Sequence, residues 1–286
     1  TIESFRLNRW IVESAGAIAI GSTEPHYFAG VTGAHKTFTV GLMGMNDLRD
    51  NHQSATLEGA DPLRTAGNPV FEGIAAVISA LERSERHLFA VNQLLVGTRL
   101  VGCVAGRPLE TLRRALPAVR KTFLHEIRAP LDLLVSIVSP PLDRSFYQAD
   151  KGIKNVEAVV RTGGVLLLDA ACPDGVGIDR FLQILRRSNA ESDTLAQIRE
   201  RGYRLGDHKA VRLRRLTDTR GVRIGIVSRD IPPSTARLLH VVVHPDRESA
   251  ATWALDQLEG VVRPSGLIVE DAGNVVVRIR GGSGNR

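Results

Sequence analysis

The chain has 286 residues, 43% hydrophobic and 24% charged, with 37 Lys and Arg against 31 Asp and Glu for a formal net charge of +6. That is a globular composition with enough apolar content for a substantial core, and at roughly 150 residues per domain it allows one large domain or two. No apolar run approaches the roughly 20 residues that cross a bilayer, and no basic start followed by an apolar stretch marks a secretion signal. With 5% aromatics and no stacking motif, the basic runs RPLETLRRALPAVRK and HKAVRLRRLTDTR read as solvated helix faces, so neither nucleic acid nor membrane is expected as a partner. Cys103 and Cys172 lie far apart, without a CxxC or a Cys/His metal spacing, which predicts a reduced, cytoplasmic chain without disulfides. The sequence enters a patterned segment at once from Thr1, so a segment upstream is expected.

The first predicted element is a strand over 16–21. Leaving its carboxyl end is EPHYFAGVTGAHK, residues 24–36, which lacks regular periodicity and reads as a site loop, not as core. Pro25 holds Glu24 extended. Gly30 and Gly33 permit tight turns whose N–H groups, with Thr32 and Lys36, suit a phosphate. The spacing is neither GxxxxGK nor GxGxxG. By itself His26 is an ordinary polar loop histidine before it is a catalytic base. His52 follows in a polar patch beside Asn51, with no second His or Cys at metal-ligand spacing. GNPV at 67–70 is a turn into a helix, with Asn68 as cap and Pro69 at the first helical position.

Helix NPVFEGIAAVISALE leads to strands over 87–95 and 98–106, helix RPLETLRRALPAVRKTF and a strand over 131–139. SPPLDRSFYQADKG, residues 139–152, then offers Asp143 or Ser145 as N-cap for the helix FYQADKGIKNVEAVVR. Gln148 and Lys151 are three apart, on one face of its first turns, where an amide donor, an ammonium and the helix dipole suit a carboxylate. A solvated helix start accounts for the same residues. A strand over 163–170, helix GIDRFLQILRRSN, strands over 222–228 and 238–244, helix ESAATWALDQLEGVV and a strand over 274–280 complete the chain before a flexible tail, 281–286. Strands and helices alternating in this way predict an α/β fold, a mostly parallel sheet with helices on both faces, as one compact unit over 1–280.

Taken together, EPHYFAG-VTGAHK, the Asn51-His52 pair, GNPV, PLDRSFYQADKG and VVRTGGVLLLDAACPDGVG resemble the nickel-dependent lactate racemase family, most closely over 10–180. The resemblance implies a racemase or epimerase of a small 2-hydroxy acid that uses a nickel-pincer nucleotide. It implies that Lys36 tethers this cofactor, with Thr32 and Gly33 beside it, and that His52 is a nickel ligand. It also implies His26 as general acid/base on the substrate hydroxyl, and Gln148 and Lys151, with Tyr147, on the substrate carboxylate. The physical logic agrees. The C2 proton of a hydroxy acid is too weakly acidic for a simple side-chain base, so inversion is easier when C2 gives up a hydride and a histidine takes the hydroxyl proton. Return of the hydride to either face of the planar keto acid needs a base for each pose, hence two histidines.

The sequence departs from the family in three ways. Ala34 and His35 stand where the family usually has Gly and Arg. The family's second catalytic histidine and its phosphate-gripping DxTR-like segment belong to an N-terminal domain ahead of EPHYFAG, and neither is found here. His87, His125, His208, His240 and His244 read as lying at element peripheries. The chain is therefore expected to be the C-terminal domain of a two-domain racemase, with an interdomain segment near 1–30, its N-terminal domain supplied by the same or another chain. The alternative is a non-catalytic carboxylate- or nucleotide-binding domain derived from the family. A nicotinamide-dependent oxidoreductase is disfavoured because no dinucleotide fingerprint follows a strand.

Overall fold

The computed structural model describes residues 5–84 and 86–281. The expected tail lies outside the described residues except for Gly281. In place of one unit over 1–280, the residues divide at Leu124/His125 into two compact units. Helix Pro108–Phe123 runs directly into strand Leu124–Ile127. No Gly-, Pro- or Ser-rich linker marks the division, so composition carries no trace of it.

In the first unit the order is α1 (Arg9–Glu13), β1 (Gly16–Ser22), β2 (Pro25–His26), β3 (Gly30–Val31), α2 (Ala34–Phe38), α3 (Met45–Gln53), α4 (Pro69–Arg83), β4 (His87–Val96), β5 (Arg99–Gly106) and α5 (Pro108–Phe123). β1 pairs parallel with β4, and β4 antiparallel with β5. β2 and β3 form a small antiparallel hairpin. The start of α4 was legible: Asn68 Oδ1 accepts the Val70 and Phe71 N–H groups at 3.0 and 3.2 Å, and Pro69 opens the helix. Its Val77, Ile78 and Leu81, at helical spacing, pack with Phe38 of α2 and with Ala19, Leu88 and Ala90 from one side of the sheet.

The second unit contains β6 (Leu124–Ile127), β7 (Leu131–Ile137), α6 (Phe146–Val156), β8 (Val160–Asp169), α7 (Asp179–Leu185), α8 (Glu191–Arg201), α9 (Asp207–Arg214), β9 (Arg223–Val227), α10 (Pro233–Leu239), β10 (Val241–His244), α11 (Arg247–Asp256), β11 (Gly266–Val269) and β12 (Val276–Ile279). Five strands make a parallel sheet in the order β10-β9-β8-β7-β11. Alternate residues serve opposite faces, as the two-residue period of a strand demands. Leu166, Leu168, Ile224 and Ile226 join Phe146, Ile153, Phe181 and Val211 in one core, while Val165 and Leu167 pack on Ala250 and Ala254 of α11. Helices thus cover both faces, as the apolar strands predicted.

Several expectations change. Residues 238–239 end α10, and His240, in the left-handed conformation at φ 56°, stops the helix before β10 begins. The stretch HKAVRLRRLTDTR is not a solvated face: Lys209 and Arg214 are 1% exposed and Arg212 8%. Acceptors on neighbouring elements take these cations inward. Nor is His208 peripheral, being buried with Nδ1 2.7 Å from the Tyr203 hydroxyl, and His244 is buried as well. Both cysteines are free. Among the described residues no helix is long and apolar enough to cross a membrane.

Candidate active site

The loop that leaves β1 was expected to lie outside the core, yet its aromatic pair is core. Tyr27, Phe28 and Ala29 are buried with Ala60, Val70 and Ile74. The β2–β3 hairpin folds these rings back, and Asn68 Nδ2 secures the turn by donating to the Phe28 carbonyl at 3.0 Å. Phe28 lies between two imidazoles. Its ring centroid is 4.6 Å from His26 and 5.1 Å from His52, edge-on to both. The loop therefore positions its histidines through packed aromatics.

His26 is half-buried, and its Nδ1 accepts the Ala29 N–H at 3.1 Å. A neutral ring held in this way carries its proton on Nε2. The phosphate cradle suggested by the glycines does not form as expected. The Thr32 hydroxyl donates to the Ser22 carbonyl at 2.8 Å and accepts the Glu24 N–H at 2.9 Å, so it pins the loop. The N–H groups of Val31, Thr32 and Ala34 are donated to Ala29 O, Glu24 O and Asn92 Oδ1. Gly33 is required by closeness: a Cβ there would stand 2.8 Å from Asn92 Oδ1 and 3.0 Å from His35 Nδ1, at φ 147°.

Lys36 on α2 lies near enough that its charge acts on two imidazoles. Burial first and Lys36 second push His52 down to about 4, against a hydrogen bond to the Leu48 backbone. The same causes push the fully buried His35 down to about 3. Both rings are therefore neutral at pH 7 and keep a nitrogen lone pair. Asn92, in mid-strand β4 and 1% exposed, was missed in the sequence. Its Oδ1 caps the start of α2 through Ala34 N–H at 2.9 Å, and its Nδ2 donates to Thr111 at 3.0 Å. An amide on the inward phase of the strand, between Ala90 and Leu94, was the available signal.

In the second unit Gln148 and Lys151 occupy the first turns of α6, both half-buried. Ser145 is the N-cap residue but its side chain makes no capping bond. The Phe146 and Tyr147 N–H groups donate to the Gly175 and Val176 carbonyls at 3.0 and 3.1 Å. These two backbone amides are thus already used, which leaves the holding of an anion to the side chains of Gln148 and Lys151. Among the described residues Lys151 has no carboxylate partner, and burial pushes its ammonium down. Asp150 beside it is taken by Lys209, at 3.3 Å, and by Arg212. Lys209 Nζ also donates to Tyr147 O at 2.6 Å and sits 4.4 Å from the Tyr147 ring centroid. The Tyr147 ring is therefore part of the support around Lys209.

Two family models match the chain, that of the lactate racemase N-terminal domain over residues 3–61 and that of the lactate racemase C-terminal domain over 129–210. Lactate racemase of Thermoanaerobacterium thermosaccharolyticum is 27% identical over 202 residues, covering 68% of this chain and 46% of the relative. That of Lactiplantibacillus plantarum is 26% identical over 181 residues, covering 61% and 41%. These matches support the lactate racemase family. The aligned residues span less than half the length of these lactate racemases. The apoprotein structure of the Thermoanaerobacterium lactate racemase superposes with a TM-score of 0.85 at 22% identity, over 96% of this chain and 65% of that one. A Thermotoga maritima crystal structure gives 0.70 at 15% identity over 96% and 70%. Both are likenesses of fold. The N-terminal match overturns the expectation that this chain lacks that domain altogether, because EPHYFAG and Lys36 themselves fall within it.

A nickel-pincer nucleotide can be tested against these residues. Among the described residues no three His, Cys, Asp or Glu gather into a group able to hold a metal. Nickel here would need to bring most of its own donors. The cofactor implied by the resemblance would do so, asking of the protein one neutral imidazole and one amine. His52, held neutral beside Lys36, meets that requirement.

Proposed function

We propose that this chain is part of a lactate-type 2-hydroxyacid racemase or epimerase working with a nickel-pincer nucleotide tethered through Lys36. The reading rests on one observation above all: Lys36 and His52, the positions that the family resemblance assigns to tether and ligand, lie near enough for the lysine charge to act on a largely buried imidazole. When bound, the cofactor supplies a hydride acceptor. Lys36 would hold it and His52 would give nickel its imidazole lone pair. This proposal does not include Thr32 as a phosphate contact, since its hydroxyl pins the loop.

His26 is proposed to manage the proton of the substrate hydroxyl. With Ala29 N–H on Nδ1, the neutral ring presents Nε2–H, a donor toward the C2 oxygen. Taking the hydroxyl proton at Nε2 requires the ring proton to be on Nδ1, so the Ala29 hydrogen bond must yield during that step. Lys151, half-buried and without a carboxylate partner among the described residues, is proposed to hold the substrate carboxylate, with Gln148 as amide donor and Tyr147 bracing the helix start. The cytoplasmic setting expected from the cysteine usage belongs to the same proposal.

The test is intact-mass spectrometry with nickel analysis on chain purified from cells that make the cofactor, comparing wild type with Lys36→Ala. A mass adduct and stoichiometric nickel, both lost in the variant, are expected. A chain that never acquires adduct or nickel, even when the remaining N-terminal sequence is supplied, refutes the racemase reading in favour of a binding domain.

A further inference from the structure

The second unit contains a cavity that the racemase reading does not use. It lies against α7 and α8, has a volume of about 380 Å³, and is lined by Arg180, Arg186, Arg187, Arg201 and Arg204. No carboxylate lines it. Of the five guanidinium groups, among the described residues only that of Arg201 has an acidic partner, Asp207, whose two oxygens it takes at 3.1 Å each. The Arg204 backbone N–H also donates to Asp207, at 2.7 Å. Asp207 is buried and committed, so it neutralises nothing more. Two acids of α8 are also engaged, Asp193 by the Asn189 and Ala190 N–H groups and Glu191 by Arg215, while Asp179 of α7 and Glu200 of α8 do not line the cavity. Among the described residues Arg180, Arg186, Arg187 and Arg204 form no ion pair.

The wall that carries them is built, not draped. Gln197 Nε2 donates to Ile184 O at 3.2 Å, Arg187 O at 2.9 Å and Ser188 Oγ, clamping α8 to the end of α7. Phe181 and Ile184 anchor α7 in the core below. Four uncompensated guanidinium groups on a fixed concave wall repel one another, and an anion with several oxygens relieves that repulsion through bidentate pairs. One carboxylate leaves most of the charge unmatched. No aromatic ring lines the cavity, unlike a groove that stacks and tracks single-stranded nucleic acid.

We propose that this cavity binds a compact polyanion carrying at least two phosphate groups. The probe is inorganic pyrophosphate, titrated calorimetrically into the full chain at 150 mM salt, with orthophosphate, lactate and a short single-stranded oligonucleotide as comparisons. One saturable equivalent is expected, at least tenfold tighter than orthophosphate or lactate. Arg186→Gln/Arg187→Gln, both exposed, should weaken it at least tenfold with the melting temperature unchanged, while the equally exposed Arg113→Gln/Arg114→Gln on α5 should not. Equal weakening in both double variants, or no saturation, overturns the proposal by showing diffuse charge attraction. Tighter binding of the oligonucleotide through the same arginines overturns the choice of a compact ligand.

Discussion

At the scale of single residues, His35 shows how position overrides residue type. It follows Ala34 at the start of α2, is fully buried, and among the described residues neither ring nitrogen has a hydrogen-bond partner. Phe71 faces the ring at 5.7 Å, and the Lys36 charge opposes a proton on it. Unfolded, the imidazole takes a proton below about pH 6.5; folded, it resists until about 3. The unfolded state binds more protons across that window, so the stability is complete above pH 6.5 and lost as the pH falls. The slope approaches about 1.4 kcal/mol per pH unit for one such group. Urea unfolding of wild type and His35→Phe at pH 7.5, 6.5, 5.5 and 4.5 should show a shallower acid limb in the variant, and parallel limbs would refute the assignment. At this scale the sequence was partly legible. The spacing of His26, Lys36 and His52 was visible, whereas the inward hydrogen bonds of Thr32 and the cap supplied by Asn92 depend on partners 10 and 58 residues away.

Among the elements, α6 and α9 carry the largest departure from expectation. Lys209, Arg212 and Arg214 recur along α9 as if solvated, but Asp150 of α6 and Glu157 just after it take Lys209 and Arg212, while Arg214 donates to the Ser188 and Leu238 carbonyls. Arg212 spans both carboxylates, with its bond to Glu157 at 2.6 Å, and Lys154 reaches Glu157 at 3.2 Å. A charge spacing read from one helix cannot reveal that the matching acids stand on another, about 55 to 62 residues away in the chain. Removing one member of a buried network leaves the others desolvated and unmatched. Arg212→Met should therefore cost about 3–5 kcal/mol in chemical denaturation, and Asp150→Asn/Glu157→Gln added to it should recover part of that loss. A single variant within about 1 kcal/mol of wild type would show that the network is dispensable. Short elements were also hidden: β6 and β11 span four residues each, too few for a period to register.

For the whole molecule, the alternation of strand and helix was legible because parallel strands buried on both faces are apolar throughout. The first unit breaks that pattern in an informative way. Its β1–β4–β5 sheet buries Ala19, Leu88 and Ala90 on one face, yet the residues of the other face are equally apolar. Ile18, Ile20 and Phe89 are 73%, 62% and 45% exposed, and Ile18 and Phe89 are directly paired across the strands. Contiguous apolar surface of this kind is uncommon on a monomeric protein and binds hydrophobic probes. Replacing Ile18 and Phe89 together by Lys should lower anilinonaphthalene sulfonate fluorescence of the native chain at least twofold. The melting temperature should stay within about 3 °C, since these side chains give up little buried area. The control is Ile74→Ala, a fully buried residue in the core beneath Phe28, which should cost about 2–5 kcal/mol and raise dye binding instead. If the double lysine variant melts as early as the Ile74 variant, the sheet face is packed in solution and its apolar side chains contribute to the core of this chain.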